Sequence, residues 1–175
     1  SEPNLLNYLD LVTLGTVCDV VPLVGLNRAI VKQGLKILSS KKNLGIKTLL
    51  DICDVNCNPN VYHVGYLLGP RINAGGRVGK SSHGANLLLN KDPKDTYRIA
   101  MELDEFNRER QLLEKDVIEK ILKKIEKNLS DPVLVISGNQ WHEGVIGIAA
   151  ARIKDKYNKP VVVISIQNGI GKASA

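Results

Sequence analysis

The sequence predicts an α/β protein that is mostly helical over residues 1–130 and closes with a β-α-β unit. Apolar residues recur at helical spacing from residue 99 to residue 125, and no glycine or proline interrupts them. Beyond Pro132, two apolar runs of strand length, Val133 to Ser137 and Val161 to Ile166, flank the helical stretch Val145 to Tyr157. This order favours two parallel strands that are joined by a crossover helix.

Shorter helices are predicted before residue 92. The first is mostly apolar, so we expect it to be buried and to end at Gly15. The fourth should stop at Gly69-Pro70, and the fifth should be capped by Ser81 or Ser82. The predicted ranges are Leu5 to Leu14, Asn27 to Leu38, Ile46 to Ile52, Val61 to Leu68 and Ser81 to Leu89.

A long helix is predicted from Pro93 to about Asn128. Asp92 suits the N-cap, and proline is favoured at the first helical position. At 1.5 Å per residue the helix would be about 50 Å long. Its narrow apolar stripe favours a connector between two lobes, and the alternative is a long helix packed inside one domain.

The end of the chain should carry two turns, one at Gly138-Asn139 and one at Gly169. A further strand would begin at Gly171 and run towards Ala175. Since this strand would be cut short, and since the first residue is not methionine, we expect the sequence to be a fragment.

The net charge of +6 is unevenly distributed along the sequence. It is +4 over residues 1–92, −1 over residues 93–131 and +3 over residues 132–175. The positive excess favours a polyanionic partner such as nucleic acid. The sequence has no apolar run of membrane-spanning length and no secretory signal, and its three cysteines fit a reducing compartment. We therefore expect a cytoplasmic protein with no membrane association.

The segment GPRINAGGR, from Gly69 to Arg77, carries two arginines around a pair of glycines. Glycine permits close approach of the backbone to a ligand, and arginine donates in pairs to phosphate oxygens. The segment therefore suits a clamp on a phosphate backbone. An ordinary glycine-rich surface turn with two solvated arginines explains the same residues equally well.

Two other segments carry candidate functional residues. In WHEGVIG, His142 stands just before a predicted helix, whose N-terminus attracts phosphate, and Trp141 could stack on a base. The same residues are explained equally well if Trp141 packs in the core and His142 lies at the surface with its hydrogen bonds satisfied. In DLVTLGTVCDVVPL, Asp19 could bind a metal ion, although a capping or buried carboxylate is the simpler interpretation. His83 has no partner pattern and receives no role.

Taken in order, these segments resemble the RecJ family of single-strand-specific exonucleases, within the DHH/DHHA1 phosphoesterase superfamily. DLVTLGTVCDVVPL is similar to the fourth DHH motif, GPRINAGGR to the arginine motif and LDEFNRERQ to the start of the linking helix. WHEGVIGIAAARI and the final GKASA are similar to DHHA1 motifs. The resemblance implies the end of a DHH domain over residues 1–91, a connector helix over 92–130 and an incomplete DHHA1 domain over 131–175.

The resemblance implies a metal-dependent hydrolysis of phosphodiester bonds with Asp19 as one ligand of Mn²⁺ or Mg²⁺. The other DHH ligand motifs, Asp-x-Asp and Asp-His-His, would lie upstream of Ser1. A single carboxylate cannot hold divalent ions, which need several ligands each. We therefore expect the chain by itself to be inactive. Cys18 stands where alanine is usual in the family, and a thiol beside a metal ligand could make the site sensitive to oxidation.

The resemblance also implies the groups that hold the substrate. His142 would act at the catalytic centre by contacting a substrate phosphate, and Lys172 and Ser174 would grip the end of the strand. The remaining phosphate-binding residues would come from the arginine motif, namely Arg71, Asn73, Gly75, Gly76 and Arg77.

The function that the resemblance implies is 5′-to-3′ digestion of single-stranded DNA in recombination and repair. A helicase and a single-strand-binding protein would be partners by the same analogy. One alternative is a phosphodiesterase for short oligonucleotides or cyclic dinucleotides. Another is a non-catalytic single-strand-binding module, which the 4% aromatic content disfavours.

Overall fold

The computed structural model describes residues 4–125 and 129–175. The chain divides into two compact units. The first unit contains the residues up to Gly75 together with Lys80–Phe106, and the second contains Gly76–Gly79 together with Asn107–Ala175. The fold confirms the predicted order of a helical part followed by a small α/β part. Within the described residues, no helix is both long enough and apolar enough to cross a membrane.

The first unit is built from helices around one buried apolar cluster. Leu49, Leu50, Leu68, Leu87 and Leu103 lie at its centre, each fully buried. The helices that begin in this unit are α1 (Leu9–Cys18), α2 (Gly25–Ser39), α3 (Leu44–Ile52), α4 (Gly69–Val78), α5 (His83–Leu89) and α6 (Pro93–Ile125). The helices predicted near α2, α3 and α5 are thereby confirmed, with small shifts at their ends.

The start of the chain differs from the prediction of one buried helix that ends at Gly15. Leu5–Tyr8 forms a 3₁₀ helix, which the Asn4 side chain caps by accepting a hydrogen bond from the Leu6 N–H at 3.1 Å. Leu5 is 71% exposed, so this turn is not part of the core. Helix α1 then continues through Gly15 and ends at Cys18.

The predicted stop at Gly69-Pro70 is also wrong. His63–Leu68 forms a π-helix, and the chain passes from it directly into α4. The Gly69 N–H donates to the Val64 carbonyl, five residues back, so the regular α-helical ladder is already interrupted before Pro70. The missing N–H of the proline therefore breaks no established α-helical bond. As a result, the whole GPRINAGGR segment is helical rather than a surface turn.

Helix α6 confirms the long helix, and its 33 residues span about 50 Å. The Asp92 side chain caps it by accepting from the Asp95 N–H at 2.8 Å. By contrast, Ser82 takes the N-cap position of α5 without a side-chain hydrogen bond. Residues 126–128, where α6 was predicted to end, lie outside the described residues. The apolar stripe of α6 contributes Ile99 and Leu103 to the first cluster and Val117, Ile121 and Ile125 to the cluster of the second unit.

The second unit contains the predicted β-α-β arrangement. Strands β1 (Leu134–Asn139) and β2 (Val161–Gln167) are parallel, and α7 (Glu143–Tyr157) connects them. Strand β1 alternates between buried and exposed residues, with Val135 56% exposed, although the predicted strand is an almost continuous apolar run. Gly138 and Asn139 belong to β1, and the chain turns one residue later, at Gln140.

The last strand, β3 (Ile170–Ser174), pairs antiparallel to β2. The turn between them consists of Asn168 and Gly169, with φ of 50° and 77°. Positive φ at both central residues is the requirement of a tight hairpin turn that matches the twist of the strands. The predicted turn at Gly169 and the strand beyond it are therefore confirmed.

Candidate nucleic-acid interface

A cleft of about 590 Å³ lies in the second unit, where the end of α4 meets the start of α7. It contains three of the residues that the sequence singled out, one of them a histidine and one an arginine. Its lining residues are Gly76, Arg77, His142, Glu143, Gly144 and Gln167.

His142 is the N-cap residue of α7. Its Nδ1 accepts a hydrogen bond from the Gly144 N–H at 3.1 Å, so the proton of the neutral ring is on Nε2. The cap thus fixes the tautomer and leaves an N–H donor on the other side of the ring. This donor lies beside the N-terminus of a 15-residue helix, whose unsatisfied N–H groups and dipole favour anions.

Arg77 is exposed at the cleft and is anchored to α7. Its Nη1 donates to the Gly144 carbonyl oxygen at 3.2 Å. The two backbones also approach closely, because a Cβ atom at Gly144 would lie 2.3 Å from the Arg77 carbonyl oxygen. Glycine at position 144 is therefore what allows Arg77 and His142 to line the same cleft. The backbone of Gly76 is exposed there, with no atom within 4 Å of the place where a Cβ would be.

Trp141 is a core residue, and the expectation that it stacks on a base is wrong. Only 4% of its surface is exposed, and its ring packs over Gly138, where a Cβ would lie 2.1 Å from the indole. The Ser165 hydroxyl donates to the Trp141 carbonyl oxygen at 2.6 Å. The indole therefore anchors the turn that presents His142.

Lys172 and Ser174 both lie on β3 and face α7. Lys172 Nζ is 2.6 Å from Glu143 Oε2 in an exposed ion pair at the start of the helix. Ser174 packs against Gly147, where a Cβ would lie 3.0 Å from the hydroxyl oxygen. Lys172 is thus engaged with a carboxylate rather than pointing alone into solvent.

Arg71 is held in a partly buried ion pair. Its Nε donates to Asp104 Oδ1 at 2.8 Å, and its Nη1 donates to the Leu67 carbonyl oxygen at 2.9 Å. Only 17% of the arginine side chain and 3% of the aspartate side chain are exposed. The main contacts of Arg71 are therefore structural, unlike those of Arg77.

The other two residues of the arginine motif in the first unit differ in exposure. Asn73 is exposed, whereas Gly75 is buried. A Cβ at Gly75 would lie 2.8 Å from the Lys80 carbonyl oxygen and 3.3 Å from Leu103. This glycine is therefore required for packing of the chain on itself.

Asp19 ends helix α1 and is exposed, so it is not a buried carboxylate. The buried acid of this segment is Asp10, which accepts from the Leu11 N–H at 2.8 Å. Among the described residues, no group of three histidine, cysteine, aspartate or glutamate side chains could hold a metal ion. The chain therefore offers one accessible carboxylate at Asp19 and, within its described part, no complete ligand set.

The thiol of Cys18 packs against the helix that leads into α4. Its Sγ is 3.8 Å from the Val64 carbonyl oxygen, and a Cβ at Gly69 would lie only 2.6 Å from it. Burial, and after it the negative charge of Asp19, raises the pKa of the Cys18 thiol. The reactive thiolate is therefore disfavoured.

The sequence interpretation missed the ionic contacts made by helix α6. His83, which received no role, has its Nε2 2.8 Å from Glu102 Oε2, and this contact is the main cause that lowers the pKa of the Glu102 carboxyl. Glu114 is 2% exposed and contacts two arginines. A signal was present, because the apolar stripe of α6 is interrupted at Arg110, between Phe106 and Leu113.

Comparison with known proteins shows what the chain is similar to. It is 39% identical over 182 residues to the single-stranded-DNA-specific exonuclease RecJ of Dickeya dadantii, covering 99% of this chain and 32% of the relative. Crystal structures of Thermus thermophilus RecJ with Mg²⁺ and with Mn²⁺ superpose with TM-scores of 0.85 and 0.87, each at 33% identity. They cover 98% and 99% of this chain, and 27% and 26% of the solved chains. A scan against protein-family models finds no match.

The sequence and the fold agree over nearly the whole chain, and both point to nucleases of one type. This chain is therefore similar to RecJ proteins in both sequence and fold. It spans less than a third of the length of the curated relatives that it matches, between 22% and 32%.

Proposed function

We propose that this chain is the part of a RecJ-type 5′-to-3′ single-stranded DNA exonuclease that holds the phosphates of the substrate strand. The proposal includes a role in recombination and repair. The observation that carries it is the cleft at the start of α7, where Arg77 and the capping His142 line one surface. The names of the similar proteins support the class of substrate.

The groups around the cleft suit a phosphodiester. The exposed guanidinium of Arg77 can donate to phosphate oxygens in pairs, and the Nε2–H of His142 supplies one more donor. The backbone of Gly76 lets a strand approach α4 closely. The carboxylate of Glu143 opposes an anion, and its ion pair with Lys172 reduces this opposition. We assign supporting phosphate contacts to Asn73, Lys172 and Ser174, and packing roles to Arg71 and Gly75.

We propose Mn²⁺ or Mg²⁺ as the cofactor, in line with the two Thermus thermophilus RecJ structures. Asp19 is exposed and could serve as one metal ligand. The described residues contain no group of three histidine, cysteine, aspartate or glutamate side chains that could hold the ion. Divalent ions in such enzymes activate water and stabilise the leaving oxygen. Because one carboxylate does not retain such ions, we propose that the chain alone binds strands without cutting them.

We also propose a cytoplasmic location and, as partners, a helicase and a single-strand-binding protein. These three proposals follow from the family resemblance. A pull-down with either purified partner, with and without single-stranded DNA, would test the partners directly. Retention that depends on the DNA alone would argue against a protein contact.

A single-strand-binding module is the second candidate, and one observation favours it. The rings of Tyr62 and Tyr66 stack with their centroids 5.2 Å apart, and the two residues are 59% and 72% exposed. Exposed aromatic pairs of this kind can stack on bases without regard to sequence. A phosphodiesterase for short oligonucleotides or cyclic dinucleotides has no such specific support.

The test compares the intact gene product with this chain as the control. Single-stranded DNA labelled at either end, matching duplex and a cyclic dinucleotide are incubated with Mn²⁺ and then with chelator. We expect metal-dependent release of mononucleotides from the 5′ end of single strands by the intact protein only. Cleavage limited to dinucleotides would replace the proposal by the phosphodiesterase. Binding without any cleavage by the intact protein would favour the binding module.

A further inference from the structure

Helix α6 carries a network of buried polar side chains in the second unit. Asn107 and Glu114 are each 2% exposed, and the side chain of Arg110 is 12% exposed. Arg110 donates to Asn107 Oδ1 from Nη2 at 3.0 Å, and to Glu114 Oε2 from Nη1 at 2.8 Å. The spacing of three and four residues places all three side chains on one face of the helix.

Arg152 extends this network to the surface. Its Nε is 2.6 Å from Glu114 Oε1, yet the alignment is not that of a hydrogen bond, so Oε1 is buried without one. The glutamate side chain is 3% exposed, whereas that of Arg152 is 65% exposed. The buried carboxylate therefore attracts one edge of the guanidinium, and the rest of this cation faces solvent.

Arginine side chains repel one another in this region. Glu114 contacts Arg110 and Arg152, and Arg77 is close enough to Arg110 to interact with it electrostatically. Burial is the first cause that lowers the pKa of Arg110, and the charges of Arg77 and Arg152 lower it further, while Glu114 opposes the change. Two arginines thus contact one carboxylate while a third adds positive charge near Arg110, and a bound anion would reduce the repulsion among them.

Helix α7 aligns the two exposed arginines. Arg77 bonds to the Gly144 carbonyl oxygen, and Arg152 lies eight residues further along the same helix. Positions separated by eight residues fall on the same face, about 12 Å apart along the axis. A flexible strand that passes Arg77 could therefore reach Arg152 with another of its phosphates.

We propose that Arg152 binds a second backbone phosphate of the single strand and that buried Glu114 is the positioning residue that holds it there. This rests on the proposed function, since Arg77 is taken to hold the first phosphate. The role of Glu114 is counterintuitive for binding of an anion, because a carboxylate by itself repels phosphate. The two opposing effects make the proposal testable with one isosteric substitution.

The experiment measures binding of the 175-residue chain to a labelled thymidine oligonucleotide across a series of salt concentrations. For single strands, each phosphate contact contributes about 0.7 to the slope of log K against log salt. We expect Arg152→Ala to reduce the slope by about 0.7, and Arg152→Lys to restore it because the charge returns. We expect Glu114→Gln to weaken binding severalfold and to reduce the slope in the same way, although it removes a negative charge.

Lys154→Ala is the matched control, since it removes another exposed cation from α7 on a different face, and its slope should equal that of the wild type. An unchanged slope for Arg152→Ala would overturn the second phosphate contact. Tighter binding by Glu114→Gln would overturn the positioning role. Should the wild type itself bind without salt dependence, the proposed function fails as well, and Arg77→Ala would then have no effect either. Fluorescence of Trp141 checks that each variant is folded. If Glu114→Gln does not fold, the binding slope of Arg152→Ala alone tests the second phosphate contact.

Discussion

Arg71 and Arg77 stand six residues apart on the same helix, yet their side chains have different surroundings. Arg71 is mostly enclosed and bonded to a buried aspartate, whereas Arg77 is exposed and bonded to a backbone carbonyl. Their identical chemistry made them equal candidates in the sequence. Burial distinguishes them, and burial depends on which side of α4 faces the core.

Arg71→Ala should lower the free energy of unfolding by about 2–3 kcal/mol, because it removes charge-assisted bonds from a buried pair. Arg77→Ala should change it by less than about 1 kcal/mol, since that side chain is exposed. Urea unfolding of both variants measures the difference. Equal stability of Arg71→Ala and the wild type would show that the ion pair with Asp104 contributes little, and would return Arg71 to the phosphate-binding set.

Cys18 should react slowly with iodoacetamide at neutral pH, because burial and the charge of Asp19 raise the pKa of its thiol. A raised pKa means that the folded state favours the protonated thiol, so this contribution to stability is lost as the pH rises through that pKa. Peptide mass spectrometry over an alkaline pH series would show alkylation at the exposed Cys57 before Cys18. Preferential labelling of Cys18 at neutral pH would contradict a raised pKa of its thiol.

At the scale of the elements, hydrophobic spacing predicted most helices and strands, and the errors have local causes. The glycine and proline at positions 69 and 70 indicate a helix end by their propensities, but the π-helix before them removes the cost. The 3₁₀ turn at Leu5–Tyr8 looked buried because it is apolar. Neither cause is visible in the order of residue types, since both depend on backbone hydrogen bonding and on what packs against the segment.

Gly144 and Gly76 line the same cleft but should respond oppositely to alanine. In Gly144→Ala the new Cβ would meet the Arg77 carbonyl oxygen at 2.3 Å, so we expect a loss of about 1–3 kcal/mol in unfolding free energy. In Gly76→Ala the Cβ meets nothing within 4 Å, and the change in a helix should add about 0.5–1 kcal/mol.

Thermal unfolding of both variants, combined with strand binding, checks this pair. Gly76→Ala should be more stable than the wild type and yet bind single strands more weakly, because the methyl group would occupy the space through which a phosphate approaches. If Gly76→Ala binds as tightly as the wild type, its backbone does not contact the strand. Similar stability of Gly144→Ala and the wild type would show that α4 and α7 can separate at this point at little cost.

At the scale of the molecule, the sequence indicated the α/β order, the long helix and the residues of the cleft, but not how α6 serves the structure. The same helix contributes apolar residues to both units and, around residue 110, polar residues that organise arginines. Helical periodicity shows which positions share a face. It does not show which charged groups meet on that face from other elements, such as Arg152 of α7.

The two apolar clusters should have separable stabilities, because they share no residue even though α6 enters both. Leu103→Ala and Ile121→Ala each remove a fully buried side chain, and each should cost its own unit about 2–5 kcal/mol. Trp141, the single tryptophan, reports on the second unit, whereas far-UV circular dichroism reports on the helices of both. During urea unfolding, Ile121→Ala should lower the midpoint of the fluorescence transition. Leu103→Ala should shift only an early part of the dichroism transition to lower urea concentration, namely the part that comes from the helices of the first unit. A fluorescence midpoint that falls equally in both variants would show instead that continuous helix α6 makes the two units unfold as one.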